Sequence, residues 1–198
     1  MTARPLFLAL LALAGCGPLV QIGGNDKPPQ TLLTIGATAP PPAYQPGAPL
    51  GPTIAVDVPR VPMTLQTVRL PVTTSPTDVS YLVGATWAEQ PNRQFRQVLN
   101  DTLAAAGFAV VNRRETSVPP ARVLSGTLLL FGLDASNAAA PVVRVRYDAQ
   151  LTGGGKILGL RRFDAAVPVA AQTPTAVAQA LNVAANKVAG EVTDWAKQ

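Results

Sequence analysis

The amino-acid sequence predicts an α+β fold, two helices packed on a mixed, mostly antiparallel sheet. Three observations predict it. Two segments, one after Pro91 and one after Thr173, place apolar residues at helical spacing. Val143, Val145, Tyr147, Ala149 and Leu151 alternate with Arg144, Arg146, Asp148 and Gln150, the period of a strand with one wet face. The order of elements is strands, helix, several strands, helix, which segregates the helices to one side of a sheet.

The first fifteen residues have a different character. Arg4 gives a short positive start, Leu6 to Ala14 is an unbroken apolar stretch, and the small residue Gly15 precedes Cys16, the layout of a secretory signal. As a helix this stretch would span about 14 Å, half of a hydrocarbon core roughly 30 Å thick, so it cannot serve as a transmembrane anchor. Leu13, Ala14, Gly15 and Cys16 match the bacterial lipobox, in which the cysteine is acylated before cleavage. The expectation is a signal peptide over 1–15 and a mature chain that starts at lipidated Cys16 and is held to a bilayer by its acyl chains. Two or three such chains bind almost permanently, at about 0.8 kcal/mol per buried methylene. Gly17 stands where aspartate signals inner-membrane retention in enteric bacteria, which favours the inner leaflet of the outer membrane.

Residues 16–30 are rich in glycine, proline and polar residues and read as a flexible tether, leaving 31–198 as a single domain. Within it, Thr31 to Ile35 is expected as a first strand and Ala37 to Pro52 as a proline-rich loop. Thr53 to Val58 and Thr64 to Val72 read as strands interrupted by Pro59 and Pro62, and Val79 to Trp87 resumes the extended pattern. After Pro91, Phe95, Val98, Leu99, Thr102, Leu103 and Ala106 form one helical face, with Gly107 as its stop. Phe108 to Asn112 is a short strand, and Arg122 to Leu133 a long apolar one expected to be buried on both faces. The strand carrying Tyr147 follows, and Gly153-Gly154-Gly155 turns it into Lys156 to Val167. Thr173 caps a closing helix whose face is Val177, Leu181, Ala184, Val188, Val192 and Trp195.

Composition restricts the chemistry. The chain of 198 residues has no histidine and one cysteine, so histidine-based triads, histidine metal sites and internal disulfides are excluded. The formal charge of +5, one unit of which is Arg4 in the signal, is modest and scattered, and no nucleic-acid partner is indicated. Gly153-Gly154-Gly155-Lys156 lacks the Ser or Thr that a phosphate loop needs after its lysine, and it precedes a strand. Asp134, Asp148 and Asp164 lie at or near strand ends with nothing in their spacing to pair them as acid and base, and are expected in solvent. Thr86 and Ser125 have no histidine to activate them. No cofactor, metal or catalytic residue is expected.

The residues taken as a set resemble the ABC-type transport auxiliary lipoprotein family. The resemblance rests on the lipobox, on Ile54-Ala55-Val56 leading into Pro59 and Pro62, and on Tyr81 and Thr86-Trp87-Ala88 before a helix. It continues through Leu103, Ala106-Gly107-Phe108, Leu124-Ser125-Gly126, Phe131, Arg162 and Phe163, and so covers most of the mature chain. The chain departs from the family pattern at Met63-Thr64-Leu65-Gln66, where a tyrosine and an acidic residue are usual. The resemblance implies a non-enzymatic periplasmic accessory role beside an Mce-type lipid-transport subunit with its permease and ATPase, in an assembly that moves lipid between bacterial membranes. A lipid-carrying lipoprotein, and an assembly factor for an outer-membrane barrel or lipopolysaccharide export machine, are the rival readings.

Five residues are candidates for contact with a partner or phospholipid. Trp87 stands where a strand hands over to a helix, and seating that helix is its simpler role. Arg93 and Arg96 lie in the first turns of a helix, where the macrodipole disfavours positive charge. Arg144 and Arg146 share a strand face that could meet anionic lipid or an acidic subunit, with plain solvent as the alternative. An open sheet edge or the basic helix face would permit a homo-oligomer.

Overall fold

The structure, a computed structural model, describes residues 31–40, 42 and 50–198. The expected signal peptide and tether, with Leu13, Ala14, Gly15 and Cys16, lie outside the described residues.

Seven strands form one sheet: β1 (Thr53–Val56), β2 (Arg69–Ser75), β3 (Asp78–Thr86), β4 (Ala109–Val110), β5 (Arg122–Asp134), β6 (Val142–Gly153) and β7 (Lys156–Pro168). Two helices, α1 (Pro91–Ala105) and α2 (Pro174–Ala196), complete it. The α+β class and both helices are as the sequence predicts. The long ladders β5–β6 and β6–β7 are antiparallel, as is β2–β3, while β1 and β2 run parallel to β5 and β4 parallel to β1.

β5 is the common partner. One of its edges pairs with β6 from Arg122 to Asp134. Its other edge is shared along its length: β1 pairs at Arg122 to Leu124, Arg60 bridges to Thr127, and β2 pairs at Leu133 and Asp134. The prolines at 59 and 62 belong to this discontinuous edge, where a missing amide costs least. Between the two pieces the chain leaves the sheet as a single 3-10 turn over Met63–Leu65. The sequence reads that turn as strand, because apolar residues there suit either state; only the buried Leu65 holds it down.

Both helices cover the face that carries Tyr147. Phe95 of α1 meets the Tyr147 ring edge-on at 5.4 Å, and Val98, Leu99 and Leu103 continue that face. α2 lays Val177, Leu181, Ala184, Val188 and Val192 inward, and its buried alanines let it sit close to the sheet and to α1. Thr173 caps it, its side chain accepting from the amide of Ala176 at 3.4 Å. β5 is not buried on both faces as its unbroken apolar run suggests. Leu124, Leu128, Phe131 and Leu133 are buried beneath the helices, whereas its other face is half-exposed, since no helix among the described residues covers it.

The β6–β7 hairpin turns through Gly154 and Gly155, both at positive φ (56° and 74°), the conformation of a two-residue type I′ turn. A bulge lies just beyond, where Leu151 pairs with Gly159 but Thr152 with Ile157, leaving Leu158 unpaired. Without that extra residue Arg146 would face Phe163. With it Tyr147 pairs with Phe163 and Arg146 with Asp164, so every apolar residue of β7 beyond the bulge lands on the core face.

Gly126 in β5 is required by close approach. A Cβ there would stand 2.2 Å from the Asp148 carbonyl oxygen and 2.7 Å from the Tyr147 ring. Gly126→Ala is expected to lower unfolding free energy by at least the roughly 1–3 kcal/mol of core overpacking. Gly190→Ala, in α2 with nothing within 4 Å, should instead raise it by about 0.5–1 kcal/mol. Urea unfolding of the two variants checks both signs.

Candidate functional site

The residues 33–38 run as an extended strap along the helical layer. Leu33 bridges to Trp87 in parallel register, its amide donating to the Thr86 carbonyl at 2.8 Å and its carbonyl accepting from the Ala88 amide at 2.9 Å. Three amide side chains then hold the backbone. Gln94 of α1 accepts from the Ile35 amide at 2.9 Å. Asn182 of α2 accepts from the Gly36 amide at 2.9 Å. Asn186, one turn on, accepts from the Thr38 amide at 2.7 Å and donates to the Gly36 carbonyl at 2.9 Å. Leu33, Ile35 and Ala37 meanwhile pack against the core. The strap thus borrows side chains where a strand would use a neighbour's backbone, because the two helices beside it have already satisfied their own.

This differs from the first strand expected over Thr31 to Ile35, of which only the Leu33 bridge exists. The amide residues that replace the ladder stand on the outward rims of α1 and α2. From sequence they read as ordinary helix-surface residues, and the four-residue spacing of Asn182 and Asn186 is the one signal that could have marked a shared task.

The opposite face of the sheet carries crossed ion pairs. Arg162 of β7 grips Asp148 of β6 through two bonds of 2.6 Å. Arg146 pairs with Asp164, and Arg144 with Asp134 at 3.0 Å. These aspartates, expected in solvent, are therefore engaged. Asp148 is held below the ordinary carboxylate range chiefly by its hydrogen bonds from Arg162. Asp134 is lowered mainly by the hydroxyl of Ser136 and further by Arg144, against the opposing effect of its partial burial. Beside Arg144 lies a shallow groove of about 160 Å³, lined by Pro71, Thr73, Val79, Leu130 and Gly132 among others. That is below the roughly 300–1,000 Å³ of typical small-molecule sites.

The five candidate contact residues separate. Trp87 is a correction: it is buried, with 1 % of its surface exposed, and its ring meets Phe131 edge-on at 5.6 Å. A partner has no access to it, because the β3-to-α1 connection folds its ring under the helix. Arg93 is exposed and Arg96 half-buried on α1, and neither joins an ion pair among the described residues. Arg144 and Arg146 do share the uncovered face, but each is neutralised by its aspartate. Tyr147, whose hydroxyl burial keeps well above its usual range, is a core residue with no hydrogen-bond partner. Among the described residues no three His, Cys, Asp or Glu side chains converge on a metal position.

Replacing Asn182 and Asn186 by alanine together should leave the sheet folded while amide exchange at Gly36 and Thr38 rises, because the strap's bonds to α2 are removed. Exchange mass spectrometry over 31–40 reads this. Both lowered carboxyls stabilise the fold fully above their unfolded value, about 3.9, and lose that contribution as pH falls through the folded value. The Asp134→Asn/Asp148→Asn chain should accordingly show a flatter urea midpoint below pH 5. The effect is expected at about 0–1 kcal/mol per pair, since solvent screens both.

Comparison with known proteins places this architecture. Residues 32–193 match the family model described as the ABC-type transport auxiliary lipoprotein component. The fold is similar to protein XCC0632 from Xanthomonas campestris, a DUF330 protein, at 20% identity with a TM-score of 0.71 over 84% of this chain and 94% of that one. It is also similar to an uncharacterized protein of solved structure, at 15% identity and a TM-score of 0.64, over 83% of this chain and 99% of that one. No curated protein matches the chain significantly. With sheet, strap and helices all inside the matched span, the chain belongs to the ABC-type transport auxiliary lipoprotein family.

Proposed function

We propose that this chain is a lipid-anchored periplasmic auxiliary component of an Mce-type ABC transporter that moves lipid between bacterial membranes, and that it acts by docking rather than catalysis. The observation that carries this reading is the sheet with two unlike faces. Helices and strap close one face, while the other, from Val79 across Leu130 to Arg146, is left without a helix among the described residues. A face of this kind supplies a preformed, rigid surface for a protein partner. Its crossed ion pairs orient a partner more than they attract one, since each charge is already met.

The family match supports an accessory place beside the transporter. The partner in this reading is the Mce-type periplasmic subunit with its permease and ATPase. Cys16 carries the acyl chains, and Gly17 after it directs the protein to the inner leaflet of the outer membrane. No helix among the described residues is long and apolar enough to cross a membrane, so attachment falls to those chains. The role requires no reacting group, in keeping with a chain that has no histidine.

Two measurements test this. Mass spectrometry of the membrane-extracted protein should find acyl mass on an N-terminal Cys16, and Cys16→Ser should abolish it and leave the signal uncleaved. Crosslinking the anchored protein in membranes should recover an Mce-type subunit with its permease and ATPase. Phospholipid recovered without protein partners would make the chain a carrier instead, and a barrel protein would move it to envelope assembly.

A further inference from the structure

The β6–β7 hairpin ends in a cluster that the docking reading does not use. Ile157, Leu158 and Leu160 expose 62%, 53% and 69% of their surface, far more than the core-facing residues of the same strand. Ile157 and Leu160 pair with Thr152 and Gln150 and stand on the uncovered face. Leu158, in the bulge, lies instead over Gly153 beside the stem of Arg122. Apolar side chains thus project on both sides of one tip. A flat protein surface would cover only one of them, whereas a deformable medium accepts both.

Charge points the same way. From Ala149 to Phe163 the chain has no carboxylate, but it has Lys156, Arg161 and Arg162. Arg162 is taken by Asp148. Lys156 and Arg161 join no ion pair among the described residues, and Arg161 rests over the Phe163 ring. Aliphatic residues bracketed by cations are the composition of a segment that lies in an anionic bilayer interface. Leu50 and Val118, 79% and 70% exposed, extend the apolar end. The Ala121 amide bonds the Thr53 hydroxyl at 2.8 Å, and the Ala121 carbonyl lies against Gly153.

We infer that this hairpin end inserts into an anionic lipid surface, the same bilayer that holds the acyl chains. The inference rests on the lipid-anchored reading of Cys16 and is independent of the transporter partner. Distance permits it. The strap meets α2 near Ala178 and Asn182, and the hairpin meets α2 at Trp195. Along the helix the separation is about 20–25 Å at 1.5 Å per residue. The residues between Cys16 and Thr31 can extend to about 50 Å, enough for both attachments to share one membrane. Two attachments on a short tether reinforce each other through effective concentration. Together they would set the orientation of the uncovered sheet face relative to the bilayer.

The test uses the full acylated chain carrying Ile157→Cys. Acylation consumes Cys16, so the new thiol is the one available to an environment-sensitive dye. Val183→Cys, 56% exposed on α2, is the control. In vesicles containing phosphatidylglycerol the dye at 157 should shift to the blue, less so in phosphatidylcholine alone, while the dye at 183 reports water. Lys156→Glu with Arg161→Glu should remove the preference for phosphatidylglycerol without changing thermal unfolding, since both side chains are exposed. A water-like emission at 157 in both vesicles, or equal shifts at 157 and 183, would overturn the inference. If wild-type protein carries no acyl chains, the anchor reading fails. The same probe on a Cys16→Ser chain added to the vesicles then still decides the hairpin.

Discussion

Everything in this fold leans on the two edges of β5. One edge is a continuous antiparallel ladder to β6, and through it to β7. The other edge is assembled from separate pieces, β1, the Arg60 bridge and β2; β1 and β2 each bring an outer strand of their own. A strand with both edges paired has no unsatisfied backbone to offer water, so it can be long and apolar. The discontinuous edge is what permits proline. Pro59 and Pro62 lie where the chain departs from β5, so their missing amides leave no hole in a ladder.

The second constraint is register, and it is set by one residue. Leu158 fills a bulge beside the Gly154-Gly155 turn and shifts the β6–β7 pairing by one place. Because side chains alternate with period two, that shift decides which face each residue of β7 occupies. It brings Phe163 and Ala165 under α2, and it delivers Arg162 to Asp148 and Asp164 to Arg146. Apolar burial outweighs charge pairing here and selects the register. The ion pairs follow from it, each contributing about 0–1 kcal/mol at a partly exposed site.

The third is the strap. An extended segment normally needs a sheet edge, but residues 33–38 lie against helices, whose backbone groups are already bonded. Gln94, Asn182 and Asn186 supply the missing partners, and alternate apolar residues supply burial. As a consequence the chain enters the domain on the helical side. The uncovered sheet face and the apolar hairpin end are both left clear of the strap, and these are the two surfaces to which contact with a protein and with lipid are assigned.

Local pattern was sufficient for the elements whose signal is local. The two helices, the long strands and the glycine turn stand within a residue or two of the ranges read from periodicity and caps, because helical spacing and type I′ geometry depend on near neighbours. The α+β class follows from their order. The lipobox and the tether were legible too, as compositional features that need no fold. Other features were decided by tertiary structure. The run from Thr64 became a 3-10 turn because Leu65 had a pocket to fill, and Trp87 went inside because Phe131 was there to meet it. Asp134, Asp148 and Asp164 found arginines only once the strands had paired, the last two in the register that the bulge set. Asn182 and Asn186 became a clamp only when a segment about 150 residues away arrived beside them. Spacing along the chain determines which face of an element a residue occupies; what stands opposite that face depends on pairings between distant segments, and those exist only after folding.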